Sequence, residues 1–145
     1  YMLGQVAGAT TIANAFPACI GLTPNWHGLA PGAGKKGGFE RLGQFDQFLV
    51  DQLAYFLKRL KKTPEGEGSL LDNTLVFYGS SNSKTHNNTN YPLVLAGGRD
   101  MGYRHGQYLK FESDTPLSNL FVTIQKRMGV DSDSFADSTG SIDRV

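Results

Sequence analysis

The stretch Thr74-Leu75-Val76-Phe77-Tyr78 decides the fold that the sequence predicts. It is a continuous run of strand-forming residues bounded by Asn73 and Gly79, with no polar residue in alternation. Such a run is typical of a strand that is buried on both faces. A second run of this kind, Leu93-Val94-Leu95-Ala96, follows a polar loop and ends at Gly97-Gly98. We therefore predict two adjacent parallel strands at the centre of a sheet, spanning residues 74–96 with their loop.

A long helix is predicted before the first strand. Apolar residues recur there at spacings of three and four: Phe39, Leu42, Phe45, Phe48, Leu49, Leu53, Phe56, Leu57 and Leu60. This stripe predicts an amphipathic helix over residues 38–62. Residues 17–38, just before it, are rich in glycine and proline. They are predicted to form a long loop that rests on another part of the protein.

The last helix is predicted from its end signals. Thr115 has the character of an N-cap, and Pro116 suits the first helical position. Gly129 suits the left-handed position that follows a last helical turn. Together these residues predict a helix over 115–129, followed by a polar tail over 130–145.

The order of these elements indicates the fold class. Helix, strand, polar loop, strand and helix are typical of an α/β domain with a layered, largely parallel sheet and helices on its faces. A chain of 145 residues suits one domain. We therefore predict that residues 1–145 belong to a single α/β domain.

Composition and charge exclude several classes of protein. Hydrophobic residues make up 39% of the chain, which fits a folded protein rather than a disordered one. Fourteen Lys and Arg residues face 13 Asp and Glu residues, so no basic surface for nucleic acid is expected. The single Cys19 excludes an internal disulfide, and no apolar run approaches the roughly 20 residues of a transmembrane helix. No signal peptide is visible, and a chain that starts at Tyr1 is expected to be processed or part of a longer one.

The loop between the two predicted strands carries side chains that could do chemistry. Ligands of open α/β sheets bind beyond the carboxyl ends of the strands, where this loop begins. Its candidate binding groups are Ser80, Ser81, Asn82, His86, Asn87 and Asn88. They could bind a metal, a phosphate or a sugar. The alternative, which composition alone favours, is a surface loop whose Asn and Ser side chains bond to their own backbone.

The three histidines, His27, His86 and His105, are candidates for a metal or ligand site together with Asn82. A zinc site needs three or four good ligands, and the polar loop contains no carboxylate. Asn82 is a poor ligand for a hard cation, and Lys84 adds a repelling charge. We therefore expect no zinc or calcium held tightly by this chain alone. For His105 the alternative is a hydrogen bond to a backbone carbonyl.

The arrangement of strand, polar loop with a histidine, and strand resembles the C-terminal half of sulfatases and alkaline phosphatase-like enzymes. The second strand is opened by Pro92 and closed by Gly97-Gly98, as in that superfamily. Asp114-Thr115-Pro116-Leu117 through Met128-Gly129 is similar to its Asp-x-x-Pro-Thr helix. A closer resemblance, to the bacterial family called domain of unknown function fifteen-fifty-two, rests on residues 63–74, 86–88, 92–98, 114–120 and 137–140.

This resemblance implies a fold, a compartment and a missing part. The chain would be the last third of an exported protein with an alkaline phosphatase-like fold, located in the periplasm or outside the cell. The nucleophile and most metal ligands of the superfamily would lie upstream of Tyr1. The chain also departs from the family pattern, because it keeps only His27 before the long helix and has Asn82 where the family often has Asp.

Two hypotheses of function follow. The first is a non-catalytic or degenerate member of the family, acting as a binding or structural subunit of an extracellular or periplasmic assembly. Its partner would be its own missing N-terminal part or another protein subunit. The alternative is the C-terminal portion of a metal-dependent hydrolase of phosphate or sulfate esters, in which a divalent metal would bind only with upstream residues. His86 and Asn82 would then support the site.

Overall fold

The computed structural model describes residues 12–23, 25–80, 83, 87–112 and 114–145. Contacts between residues divide the chain into two compact units, Tyr1–Phe56 and Leu57–Val145. No helix in these described ranges is long and apolar enough to cross a membrane.

The first unit contains a 3-10 helix over Ile12–Ile20 and helix α1 over Trp26–Gly32. Asn25 caps α1, because its side chain accepts a hydrogen bond from the backbone N–H of Gly28 at 3.0 Å. The prediction of a loop over residues 17–38 is therefore wrong in part. A capping asparagine is enough to start a helix even where glycine and proline are frequent.

Helix α2 spans Gly38–Lys62 and confirms the helix that the apolar stripe predicts. In the first unit, Phe45 is wholly buried and its ring meets the Trp26 ring edge to face, with centroids 5.4 Å apart. The stripe is not buried along its whole length, since Phe39 is 72% exposed and Phe56 is 46% exposed. Helical periodicity thus locates the helix but does not say how much of its apolar face is covered.

The second unit holds two short sheets. Strands β1 (Pro64–Glu65) and β2 (Gly68–Ser69) pair in a tight antiparallel hairpin. Strands β3 (Leu75–Gly79) and β4 (Leu93–Gly97) form the second sheet.

The predicted parallel sheet is wrong. Strands β3 and β4 are neighbours, as expected, but they run antiparallel, with Leu75 opposite Gly97 and Gly79 opposite Leu93. Each sheet in the described ranges has only two strands, so the chain does not form a layered, largely parallel sheet with an alkaline phosphatase-like core. A parallel pair needs a crossover of a dozen or more residues, usually a helix. The sequence between Gly79 and Leu93 has no helical stripe that could serve as such a crossover.

The antiparallel register gives the β3–β4 hairpin two different faces. Residues directly opposite each other share a face, and successive residues alternate between faces. The inner face carries Leu75 and Leu95, which pack against the core of the unit. The outer face, as we call it from here on, consists of Val76, Tyr78, Val94 and Ala96. Both faces are apolar, which explains why the sequence lacks alternation.

Helix α3 spans Ser118–Arg127 and packs with the C-terminal residues of the chain. The core of the second unit is made of Tyr103, Leu120, Ile142 and Val145. Thr115 is not the N-cap of α3, because the helix starts later, after Leu117. Gly129 does occupy the left-handed position after the helix, with φ of +78°.

Candidate functional site

A polar groove of about 610 Å³ lies in the second unit, beside the β1–β2 hairpin and the end of β4. Its polar and charged lining is Lys61, Glu67, Ser69, Asp72, Arg99 and His105. Leu71 and Tyr103 add apolar surface, and the backbone of Gly68 and Gly97 completes the lining of the groove. The groove therefore offers charges of both signs next to apolar surface.

Asp72 is fixed at the centre of this lining. One carboxylate oxygen, Oδ2, accepts hydrogen bonds from the backbone N–H and the hydroxyl of Ser69, both at 2.8 Å. The other oxygen, Oδ1, lies 3.5 Å from Nε of Arg99. The two bonds from Ser69, and then the charges of Arg99 and Lys61, lower the pKa of Asp72 below its ordinary value. Asp72 is therefore an ionised structural anchor whose oxygens are already engaged.

Backbone hydrogen bonds hold the two sides of the groove together. The N–H of Gly98 donates to the carbonyl of Leu71, and the N–H of Asp100 donates to the carbonyl of Asp72, both at 2.9 Å. Gly98 adopts a left-handed conformation, with φ of +69°. The turn that carries Asp72 and the turn that carries Arg99 are thus joined into one rigid wall.

Arg99 is anchored by one nitrogen and open at the others. Its Nε lies 3.2 Å from Oδ1 of Asp100 as well as 3.5 Å from Asp72. A Cβ atom added at Gly68 would lie 3.5 Å from Nη2 of Arg99, an ordinary contact, but 2.9 Å from Oδ2 of Asp72, so the absence of a side chain there makes room for the carboxylate. Within the described part of the chain, the two terminal nitrogens of Arg99 make no hydrogen bond. They remain available to a ligand.

His105 lines the same groove and confirms the carbonyl alternative raised for it. Its Nε2 lies within hydrogen-bonding distance of the carbonyl oxygen of Gly97. Because a carbonyl only accepts, Nε2 must carry the proton. In the neutral ring, Nδ1 is then the acceptor. The bond to Gly97 therefore fixes both the tautomer and the orientation of the ring.

Of the other predicted site residues, none that the structure describes lines this groove. Ser81, Asn82 and His86 lie outside the described residues. Ser80 follows β3 and is exposed, and Asn88 is also exposed.

Asn87 shows what a polar loop side chain does in this chain. Its Oδ1 accepts hydrogen bonds from the backbone N–H of Thr89 at 3.0 Å and from the Thr89 hydroxyl at 2.7 Å. Its carbonyl oxygen accepts from the N–H of Ser83 at 2.8 Å. At Asn87, the alternative in which the loop satisfies its own backbone is the better description.

His27 belongs to the first unit, whereas His105 belongs to the second. His27 is the second residue of α1, and its backbone N–H donates to Oδ1 of the buried Asn14 at 2.8 Å. Over the described ranges, no three His, Cys, Asp or Glu side chains lie close enough together to hold a metal ion.

Sequence reasoning missed Asp72 and Arg99, the two residues that organise the groove. One signal was present, because a Ser followed three positions later by Asp favours the side-chain-to-backbone turn seen at Ser69 and Asp72. No comparable signal marked Arg99, since its importance comes from the approach of two segments that are distant in sequence.

Comparison of the chain with models of protein families, with curated proteins and with solved structures finds no match.

Proposed function

We propose that this chain is a non-catalytic binding or structural subunit whose outer face docks on a helix of another polypeptide. The observation that carries the proposal is the apolar character of that face. All four of its side chains are aliphatic or aromatic, Val94 is 48% exposed, and the other three are half-buried. None of the four belongs to the core cluster or to the hydrophobic residues packed against it.

A two-stranded sheet needs cover to be stable. An isolated two-stranded hairpin is marginal in water, and packing against a helix or further strands stabilises it. The inner face already has such cover, since Leu75 and Leu95 pack on the core and the Phe77 ring meets the Phe121 ring with centroids 6.0 Å apart. A partner that covers Val94 and its neighbours would supply the same stabilisation to the second face.

The size of the outer face favours a helix as its partner. Two neighbouring strands are spaced about 4.8 Å apart, so the face is roughly one helix diameter wide, about 10 Å. The outer face carries no charged residue. An apolar helix stripe from the rest of the same protein, or from another subunit, fits these dimensions. Such a contact suits the extracellular or periplasmic assembly that the family resemblance implies.

The chemistry of the groove supports a role without catalysis. Ser69 and Arg99 hold Asp72 and lower its pKa, and a carboxylate with a lowered pKa is a weaker general base. The hydrolase alternative stays a prediction, because it rests on His86, Asn82 and a nucleophile upstream.

Sedimentation velocity of the chain Tyr1–Val145 tests the docking proposal. Without its partner, the outer face is expected to drive self-association that grows with protein concentration. Val94→Thr, which removes apolar surface at nearly constant volume, should shift the distribution towards monomer.

Tyr108→Ser is the matched control for Val94→Thr. Tyr108 is 87% exposed and is not one of the four residues of the outer face, so its loss should leave the sedimentation profile unchanged. A wild-type chain that stays monomeric and unfolds cooperatively would contradict the proposal. Equal effects of the two substitutions would also contradict it, because general surface hydrophobicity would then explain the association.

A further inference from the structure

We infer that the groove binds a small oxyanion that also carries a hydrogen-bond donor, held by the guanidinium of Arg99 with Lys61 and His105 beside it. This inference concerns a small ligand and does not depend on the docking surface proposed above.

The terminal nitrogens of the Arg99 guanidinium can donate hydrogen bonds to an oxyanion. The Arg99 side chain is 69% exposed, and its Nε donates to Asp100 at 3.2 Å and lies 3.5 Å from Asp72, contacts that favour one orientation of the guanidinium. The two terminal nitrogens form a planar fork that matches two oxygens of a carboxylate, phosphate or sulfate. Gly68 leaves room for the carboxylate that contacts Arg99, because a Cβ atom at that position would lie 2.9 Å from Oδ2 of Asp72.

Lys61 adds a second positive charge to the lining. Its ammonium group has no ion-pair partner among the described residues, yet its charge contributes to the lowered pKa of Asp72. Since the oxygens of Asp72 are already bonded, Lys61 can pair with a ligand without breaking an existing ion pair. The ammonium of Lys61 and the two terminal nitrogens of the ion-paired Arg99 are therefore donors that line one groove.

His105 and Glu67 decide which oxyanion fits. Because Nε2 of His105 donates to Gly97, Nδ1 is the ring nitrogen left to accept a hydrogen bond from a hydroxyl or ammonium donor. Glu67 lines the groove and has no hydrogen bond or ion pair within the described ranges. Its charge disfavours a bare anion and favours one that carries a donor. Hydroxycarboxylates, amino acids and protonated phosphates have this combination.

Chemical protection of Arg99 tests the inference in the chain as it exists, whatever its state of association. Phenylglyoxal modifies exposed guanidinium groups, and mass spectrometry reads each arginine separately. We expect lactate, glycine or inorganic phosphate to slow the modification of Arg99 at least fivefold in a saturable way. Sodium chloride at equal ionic strength should have no such effect. Arg104, which is exposed and does not line the groove, is the internal control.

The three probes separate the sources of the oxyanion. Protection by phosphate alone supports a phosphate-bearing ligand, and protection by lactate or glycine alone supports a carboxylate. Acetate has no donor and should protect at least several-fold less, and equal protection by acetate would overturn the role of His105 and Glu67. Lys61→Gln should raise the half-protecting concentration about tenfold, as expected for a lost charge-assisted hydrogen bond. If every probe slows Arg99 no more than Arg104, the groove is not an oxyanion site.

Discussion

Asn119 and Thr139 are joined by two reciprocal hydrogen bonds. The amide nitrogen of the Asn119 side chain donates to the Thr139 hydroxyl at 3.1 Å, and the backbone N–H of Thr139 donates to Oδ1 of Asn119 at 2.8 Å. One turn along the helix, Thr123 makes a similar link, since its hydroxyl accepts from the N–H of Ile142 at 2.8 Å. The tail is thus fixed along α3 by polar contacts that flank the core.

Asn119→Ala should loosen the tail. The substitution removes the acceptor of the N–H of Thr139, an exposed residue that water can reach, so we expect a loss of about 0.5–1.5 kcal/mol of unfolding free energy. Hydrogen exchange of peptides from residues 137–145 should accelerate accordingly. Asn88→Ala, at an exposed loop position, is the control and should leave that exchange unchanged. Unaltered protection in Asn119→Ala would show that apolar packing alone holds the tail.

Tyr103→Phe should not destabilise the second unit, although Tyr103 is in its core. The Tyr103 hydroxyl is buried and has no hydrogen-bond partner among the described residues, and burial raises its pKa. Removing it relieves a desolvation cost of about 1 kcal/mol. The protection factors of the Leu120 and Ile142 amides should stay equal or rise.

Thr123→Val is the matched comparison for Tyr103→Phe. It also removes one buried hydroxyl, but this hydroxyl bonds to Ile142. We expect a loss of about 1–3 kcal/mol, because the N–H of Ile142 becomes unsatisfied. If Tyr103→Phe proved as costly as Thr123→Val, the Tyr103 hydroxyl would have to be bonded in solution.

Gly97→Ala should destabilise the second unit strongly. Gly97 has φ of +79°, and a Cβ atom there would lie only 2.1 Å from the carbonyl oxygen of Thr74. Gly102 has φ of +87° but nothing within 4 Å of the same position, so Gly102→Ala carries the conformational cost alone, about 1–2 kcal/mol. Urea unfolding read by hydrogen exchange should show a clearly larger loss for Gly97→Ala. Similar losses would mean that the backbone of β4 shifts to accept a methyl group.

Asp72 should make the groove wall sensitive to acid. Its pKa is lower in the folded chain than its ordinary value of 3.8, so ionised Asp72 stabilises the fold above that value. The contribution is lost as pH falls from about 4 through the lowered pKa. We expect Asp72→Asn to weaken protection of the Ser69 and Asp100 amides at neutral pH. The difference from wild type should shrink below pH 4, and a constant difference at all pH values would exclude this linkage.

Local periodicity and end signals were enough to predict several elements. The stripe of α2 located that helix because only a helix brings spacings of three and four onto one side. Gly129 marked the end of α3 because a left-handed residue is needed there. Strand direction could not be predicted in this way. An apolar run such as Leu75-Val76-Phe77-Tyr78 indicates that both faces of the strand are apolar. It does not indicate whether the neighbouring strand runs parallel or antiparallel.

The candidate site was predicted less well than the helices. A histidine stands out in a sequence, and the carbonyl bond of His105 follows from its place beside a glycine-rich turn. Asp72 and Arg99 did not stand out, since charged residues are usually solvated. Their role arises only when the backbone pairs Leu71 with Gly98 and Asp72 with Asp100, contacts that no local pattern encodes.

The position of Ile142 and Val145 in the core of the second unit has a consequence for synthesis on the ribosome. The β3–β4 hairpin is complete at Gly97, but the residues that cover its inner face follow it by up to 48 positions, the distance from Gly97 to Val145. At a translation rate of roughly 5–20 residues per second, about 2–10 s pass between the synthesis of Gly97 and that of Val145. During that interval the inner face lacks its full cover, because Tyr103 and Leu120 are the only members of the core that have been synthesised. A nascent chain of this protein should therefore be a strong client for chaperones that bind extended apolar segments.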